Sequence, residues 1–90
     1  MPTVHLLIKG KVQGVYYRAT AREKANALGI TGWIKNTPEG HVEMVATGNS
    51  SQLEVFIGWC KKGPPGARVS GIEHTAVEEA YFESFTILRH

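Results

Sequence analysis

The sequence predicts an α+β fold in which two helices cover one face of an antiparallel sheet. Two observations support this prediction. Short segments rich in Val, Ile and Leu alternate with longer segments whose apolar residues recur at helical spacing, and glycine or proline lies at most junctions between them. At 90 residues the chain has the length of one domain, and we expect that domain to span 1–90.

The first part of the chain supplies a strand and a helix. Residues 3–9 are rich in Val, Leu and Ile between a proline and a glycine, a pattern typical of a strand. Residues 17–28 combine good helix formers with apolar residues on one helical face, and Gly29 is a suitable C-terminal stop. The residues of that face are Ala21, Ala25 and Leu28.

Two short extended segments, residues 30–36 and 41–47, follow the first helix. The residues that separate them are Thr37-Pro38-Glu39-Gly40. Proline presets the backbone of a turn, and glycine accepts the conformations that other residues avoid. We therefore predict that the two segments pair as an antiparallel hairpin.

The second helix is predicted from its cap and its apolar face. Ser51 is followed three residues later by Glu54, the spacing of a capping box at a helix N-terminus. Gly63-Pro64-Pro65-Gly66 ends the helix, because proline cannot continue it and glycine accepts a left-handed cap. The apolar face repeats at i, i+3, i+4 and i+7 and consists of Leu53, Phe56, Ile57 and Cys60.

The remaining residues predict two further strands. Residues 69–77 form an extended segment in which Ile72 is the expected core residue, and Phe85 and Ile87 alternate in a short terminal strand. The order is therefore β-α-β-β-α-β plus a terminal strand, which is the arrangement of the ferredoxin-like sandwich. Unrelated functions use this architecture, so the function has to be inferred from a site.

The composition argues against several classes of protein. Ten Lys and Arg against eight Asp and Glu give a net charge of +2, far from the dense positive stripe of a dedicated nucleic-acid binder. The single cysteine, Cys60, excludes an internal disulfide and favours a reducing, cytoplasmic location, where we expect it to be a small buried hydrophobe. The aliphatic run at residues 6–8 is far shorter than the ~20 residues of a membrane span, so we expect no membrane partner.

The four histidines do not have the spacing of metal ligands. They lie on different predicted strands or at the terminus, and no two of them are separated by four residues on a helix. We therefore expect neither a metal nor another cofactor. These residues are His5, His41, His74 and His90.

The segment 10–18, between the first strand and the first helix, is the first candidate site. Backbone N–H groups at the start of a helix have no intrahelical acceptor, and the helix dipole favours an anion there. Gly10 and Gly14 allow the backbone to curl into an anion nest, and the guanidinium of Arg18 can hold two phosphate oxygens. The alternative is an ordinary loop followed by a surface arginine. Neither a Walker loop nor a dinucleotide fingerprint is present.

Asn36 is the second candidate. It lies at the end of the second predicted strand, immediately before the hairpin turn. Its amide can both donate and accept a hydrogen bond, so it can hold a water molecule or a substrate oxygen. Asparagine also occurs at such positions simply because its side chain caps turns, and both interpretations remain open at this point.

Two segments of the chain carry the signatures of a known family. Residues 10–18, GKVQGVYYR, resemble the first acylphosphatase signature, G-x-V-Q-G-V-x-[FY]-R, and residues 32–42, GWIKNTPEGHV, with Gly48 beyond them, resemble the second. Residues 63–69 also resemble the loop that follows the second helix of the family. Ile34 stands where the family usually has a smaller residue, from which we expect altered packing and unaltered chemistry.

The resemblance implies a hydrolase that cleaves the carboxyl–phosphate bond of small acyl phosphates to a carboxylate and inorganic phosphate without a metal. Carried over by position, Arg18 and the backbone amides of the loop bind the phosphoryl group, while Asn36 orients the attacking water. The binding residues are Gln13, Gly14, Val15, Tyr16, Tyr17 and Arg18. We expect a cytoplasmic monomer whose partner is the small-molecule substrate.

A non-catalytic phosphate- or RNA-binding module of the same fold is the alternative. Tyr16, Tyr17 and Trp33 could be imagined as platforms for stacked bases, as on the sheet of one common RNA-binding module. The aromatic strand signature of that module is absent, and the basic residues are scattered along the chain. We therefore expect Trp33 and Tyr17 in the core or in a pocket wall and expect no nucleic-acid partner.

Overall fold

Two helices pack on one face of a five-stranded sheet. The computed structural model describes residues 1–89. The strands are β1 (Thr3–Lys11), β2 (Thr31–Asn36), β3 (Val42–Thr47), β4 (Arg68–Val77) and β5 (Phe85–Ile87), and the helices are α1 (Tyr17–Ala27) and α2 (Ser50–Lys62). The chain order is β1-α1-β2-β3-α2-β4-β5, which confirms the predicted α+β, ferredoxin-like fold.

The strands lie side by side in the order β4-β1-β3-β2-β5. Each helix joins two parallel strands that have an antiparallel strand between them, as the split arrangement requires. At one end of the sheet Ile8 of β1 lies opposite Val42 of β3, and Val42 lies opposite Asn36 of β2. The carboxyl ends of β1 and β2 therefore meet at this end of the sheet.

The predicted antiparallel pairing is present among β1, β2, β3 and β4, and the terminal strand differs from it. β5 runs parallel to β2, with Ile87 opposite Ile34. The connection 78–84 leaves β4 at one edge, crosses the end of the sheet and returns beside β2 at the other edge. β5 consequently takes the direction of β2, and the sheet is mixed.

Two threonines hold that connection against the sheet. The Thr47 hydroxyl donates to the Ala80 carbonyl oxygen (3.0 Å), and the Ala80 N–H donates to the Thr3 hydroxyl oxygen (3.0 Å). The two hydroxyl oxygens lie 2.7 Å apart, so the Thr3 hydroxyl donates to that of Thr47. Both side chains are buried at the start of β1 and the end of β3, the opposite end of the sheet from Asn36.

Alternating strand residues and one face of each helix form the core. Leu6, Ile8, Ile34, Val42 and Met44 are fully buried on the sheet face that carries the helices. The helices contribute Tyr17, Ala21, Ala25, Leu53, Phe56 and Cys60. Cys60 is thus a buried free thiol, as predicted.

Ile72, in contrast, is half-buried and does not belong to the fully buried core. β4 lies at an edge of the sheet, and most of its side chains are exposed. Strand periodicity identified the side of β4 that faces the helices. Because an edge strand has a neighbouring strand on one side only, Ile72 on that side is only partly covered.

The cap of α2 also differs from the prediction. Asn49 is the N-cap: its side-chain oxygen accepts from the Gln52 N–H (2.9 Å), and the Gln52 side-chain oxygen accepts from the Asn49 N–H (3.3 Å). The expected Ser51–Glu54 box is wrong, and both residues lie inside the helix. Two overlapping sets of cap-forming residues occur here, and the one that begins earlier is used.

Neither helix within residues 1–89 has the length and apolar character needed to cross a bilayer.

Tyr17 and Cys60 join the first turn of α1 to the last turn of α2. Tyr17 is 1% exposed, and its hydroxyl donates to the Cys60 carbonyl oxygen at 2.7 Å. Burial raises the pKa of the Cys60 thiol from 9.0 to about 12. Burial likewise raises the pKa of Tyr17 far above the ordinary value of a phenol.

We predict that the protein loses stability at alkaline pH because of this pair. Between about pH 9 and pH 12 the unfolded thiol has lost its proton while the folded thiol keeps it, so the free energy of unfolding falls as the pH rises. One group contributes a slope of at most about 1.4 kcal/mol per pH unit, and Tyr17 adds its own slope from about pH 10 upward. Urea unfolding at several pH values measures the slope. In the Cys60→Ala variant the free energy of unfolding should depend less on pH below about pH 10, where Tyr17 does not yet contribute. An unchanged slope in that variant would contradict the prediction.

Candidate anion-binding site

The chain changes direction sharply between β1 and α1. Gly10 has a φ of 126° at an irregularity in the β1–β4 pairing, and a Cβ atom there would overlap the Arg68 carbonyl oxygen. Only glycine permits this close approach of two backbones. The loop 12–16 then follows, beginning with the fully buried side chain of Val12, and α1 begins at Tyr17.

The backbone of this loop has the alternating conformation of an anion nest. Gly14 and Tyr16 take left-handed φ values of 74° and 63°, whereas Gln13 and Val15 do not have a positive φ. Such alternation turns successive N–H groups toward one concavity. Across residues 1–89, the N–H groups of residues 13–18 find no protein hydrogen-bond acceptor. No acidic residue lies in the first turn of α1 to compete with an anion.

Tyr16 carries the conformational strain of the loop. It is the N-cap of α1 and the one non-glycine residue with a positive φ in the described chain. A left-handed backbone costs a residue with a Cβ atom roughly 1–2 kcal/mol, and the Tyr16 side chain is 83% exposed, so its own burial does not offset that cost. The buried neighbours on both sides, Val12 and Tyr17, hold Tyr16 in place.

The loop after α2 packs against the loop 12–16 and the start of α1 from one side. A Cβ atom on Gly63 would lie 2.8 Å from the Tyr17 ring, and one on Gly66 would lie 3.5 Å from the Val15 side chain. The sequence pattern of Gly63-Pro64-Pro65-Gly66 predicts only the end of α2. In the structure the same segment also packs against the loop 12–16, a contact that no local pattern indicates.

The hairpin between β2 and β3 contacts the loop 12–16 from the other side. The side-chain amide nitrogen of Gln13 donates to the Thr37 carbonyl oxygen (2.9 Å) and to the His41 carbonyl oxygen (2.8 Å). The family resemblance implies a role only for the backbone of Gln13, and no sequence pattern indicates this side-chain contact. The structure therefore brings the loop and the residues next to Asn36 together.

Asn36 lies on the helix-bearing face of the sheet. Its cross-strand partner is the fully buried Val42, and Ile34, two residues earlier on the same face, is also fully buried. The side-chain oxygen of Asn36 is buried and has no hydrogen-bond partner within residues 1–89. A buried acceptor without a partner costs about 1–3 kcal/mol, so a ligand that donates to it gains that energy.

Arg18, the second residue of α1, supplies the charge. Its side chain is half-buried, and within the described residues it has neither an ion-pair partner nor a hydrogen-bond partner. α1 packs against β2, the strand that ends at Asn36, and against β5 beside it. The guanidinium is thus available to an anion at this end of the molecule.

A cleft of about 620 Å³ lies on a different flank of α1. Thr20 and Lys24, one turn apart, contribute to its wall, whereas Arg18 is displaced from Thr20 by about 200° around the helix axis. The other lining residues are Trp59, Lys62, Gly63, Pro64, Pro65 and Ala67. Residues 13–18 do not line this cleft, although its wall residue Gly63 also lies against the Tyr17 ring.

The remaining candidate residues do not belong to the site. Trp33 lies half-buried on the open face of the sheet, 5.5 Å from the Lys35 ammonium. Of the two expected positions, core or pocket wall, it has the second, since it lines a cavity beside residues 81–84. His5 contacts Glu43 on that face (2.7 Å). No cluster of metal-ligating side chains occurs within residues 1–89, and His90 lies outside the described residues.

The family model, the curated relatives and two of the solved structures most similar to this chain indicate one family. The family model for acylphosphatase matches residues 4–87. An acylphosphatase from Methylococcus capsulatus is 46% identical over 99% of this chain and 98% of its own length. The acylphosphatase structure from Coxiella burnetii superimposes with a TM-score of 0.93 at 36% identity, covering 97% of this chain and 92% of that one. The structure from Bacillus subtilis gives a TM-score of 0.95 at 30% identity over 99% and 100% of the two chains.

The strain at Tyr16 predicts an unusual order of stabilities. Tyr16→Gly should be more stable than Tyr16→Val by about 1–2 kcal/mol, because a β-branched residue resists the left-handed backbone that glycine adopts freely. Chemical unfolding monitored by circular dichroism measures the difference. Val55, exposed in α2, provides the matched control: there Val55→Gly should be less stable than the valine form. The same order at both positions would contradict the strain at Tyr16.

Proposed function

The chain belongs to the acylphosphatase family, and we propose that residues 13–18 bind the phosphoryl group of an acyl phosphate while Asn36 orients the water that attacks it. The family hydrolyses acyl phosphates. The observation that carries the proposal is the row of N–H groups from Gln13 to Arg18 without protein acceptors, beside a guanidinium without a partner. Both features favour a phosphoryl group over a neutral ligand.

Three features of this end of the molecule each attract the negatively charged phosphoryl group. The N-terminus of α1 carries roughly +0.5 of an elementary charge from the helix dipole. The N–H groups of the nest donate to the phosphoryl oxygens, and the Arg18 guanidinium holds two of these oxygens in a bidentate contact. The same donors stabilise the charge that spreads over the equatorial oxygens in the transition state.

Asn36 determines where the attacking water molecule lies. Its buried side-chain oxygen accepts a hydrogen bond from a water molecule, which fixes the direction of attack. The water oxygen forms the new bond to phosphorus while the bond from phosphorus to the acyl oxygen breaks with its electron pair. The carboxylate leaves, and the proton of the water passes to a phosphoryl oxygen, because an asparagine amide is not a base.

The chemistry requires few catalytic groups. A carboxylate leaving group has a conjugate acid of pKa about 4, so it departs without protonation and needs no general acid. The phosphoryl group passes through a loose transition state in which little covalent work remains for the protein. Positioning and charge stabilisation are therefore sufficient, and these are what Asn36 and the 13–18 loop offer.

The alternative of an RNA-binding sheet finds little support on the open face. There Lys9 pairs with Glu73 at 2.6 Å, and Lys35 lies 3.8 Å from Glu43. Carboxylates that pair with these lysines repel a phosphate backbone and reduce the positive charge available to it. The hydrogen bond from Lys9 also lowers the pKa of Glu73, which keeps that carboxylate ionised.

We predict that Arg18→Ala loses substrate binding and turnover together, with kcat/KM lower by about a thousandfold. Arg18→Lys should recover little, because an ammonium cannot reproduce the bidentate contact. Initial rates with an aromatic acyl phosphate in the presence of a chelator, and inhibition by inorganic phosphate, measure both effects. Arg22→Ala is the matched control, since it removes the same charge from an exposed position one turn along α1. Equal activities of the Arg18→Ala and Arg22→Ala variants would overturn the assignment.

Asn36→Ala is the complementary test, because it should separate turnover from binding. We expect kcat to fall by about a hundredfold while the inhibition constant of inorganic phosphate changes little. The same assays measure both quantities. Undiminished turnover in Asn36→Ala would exclude the role of this amide in orienting water.

A further inference from the structure

The side chain of Gln13 joins the two halves of the proposed active site. We propose that it is a positioning residue, whose amide fixes the hairpin carrying Asn36 at the correct distance from the loop that holds the phosphoryl group. This inference rests on the proposed function, because it assigns Gln13 the task of placing the Asn36-bound water relative to phosphorus.

The contacts of Gln13 reach the residue that directly follows Asn36. Its amide nitrogen gives its two hydrogens to the carbonyl oxygens of Thr37 and His41, at 2.9 and 2.8 Å. The same two residues close the turn, since the Thr37 N–H donates to the His41 carbonyl oxygen (2.9 Å) and the His41 N–H donates to the Thr37 hydroxyl (3.1 Å). Gln13 therefore fastens the base of the turn 37–41.

No second hydrogen bond duplicates this link. Among the described residues, the two bonds from Gln13 are the only ones between the loop 12–16 and the turn 37–41. The other supports of the loop lead to α2 and the segment after it, through Tyr17, Gly63 and Gly66. Without the Gln13 amide, the loop keeps its supports on that side but loses its hydrogen-bonded connection to the hairpin.

Phosphate binding and turnover depend on this connection to different degrees. Phosphate binding uses the N–H groups of the loop and Arg18, which the α2 side supports. Turnover also requires the water oxygen about 3–3.5 Å from phosphorus, and a misplacement of about 1 Å costs roughly a hundredfold in rate. Loss of the Gln13 amide should therefore reduce kcat and leave phosphate affinity nearly unchanged.

Gln13→Met tests this separation, because methionine has a similar length and offers no donor. We expect kcat to fall by about 10–100-fold, as for other residues that orient a catalytic group, with an inhibition constant for inorganic phosphate close to that of the wild type. Thr47→Val is the matched control: it removes buried hydrogen bonds at the opposite end of the sheet. It should lower the unfolding temperature and leave kcat unchanged.

Gln13→Glu adds a signature that a purely structural role would not produce. The ionised carboxylate can only accept, so it would face two carbonyl oxygens without a donor, whereas the protonated carboxyl donates to one of them. The kcat of Gln13→Glu relative to the wild type should therefore rise as the pH falls toward about 4 to 5. A ratio that stays constant with pH would contradict the donor role of residue 13.

The double variant Gln13→Met/Asn36→Ala distinguishes the two proposals. If Gln13 acts through Asn36, the double variant has the kcat of Asn36→Ala alone. Full activity of Asn36→Ala would overturn the proposed function itself. A low kcat for Asn36→Ala, combined with wild-type kcat for Gln13→Met or with losses that multiply in the double variant, would overturn the positioning role and leave the proposed function intact.

Discussion

The site depends on one constraint: the backbone N–H groups of residues 13–18 have no acceptor within the described protein. The first N–H groups of a helix have no intrahelical acceptor, and a side-chain cap ordinarily pairs with one of them, but α1 has no such cap. Here the loop is kept in a strained, open conformation by buried residues at both ends, Val12 and Tyr17, so the donors remain free for a ligand. The stability of the core thus maintains a polar arrangement that the loop alone would not adopt.

The supports of this loop come from elements distant in sequence. Tyr17 contacts the end of α2, Gly63 and Gly66 pack against the loop, and Gln13 binds the β2–β3 turn. The split topology makes this convergence possible, because it places the carboxyl ends of β1 and β2 and the C-terminus of α2 at one end of the sheet. Several elements of a small domain therefore support the candidate loop at once.

Sequence reasoning predicted those features that depend on local patterns. Helical and strand periodicity located both helices and every strand, and the glycines and Arg18 identified the loop before α1. It failed where the outcome depends on distant residues. The direction of β5 follows from the path of residues 78–84 across the sheet, and the half-burial of Ile72 follows from the edge position of β4. The contact of Gln13 with the hairpin links residues 24 and 28 positions apart, which no local pattern records.

The most direct test of the account is the binding site of inorganic phosphate, followed residue by residue through amide chemical shifts in an ¹⁵N-labelled sample. We predict that the largest changes on saturation occur at the amides of residues 13–18, where donors without acceptors gain a hydrogen-bonded anion. Changes concentrated instead at the cleft of Lys24 and Lys62, or spread evenly over surface lysines, would contradict it.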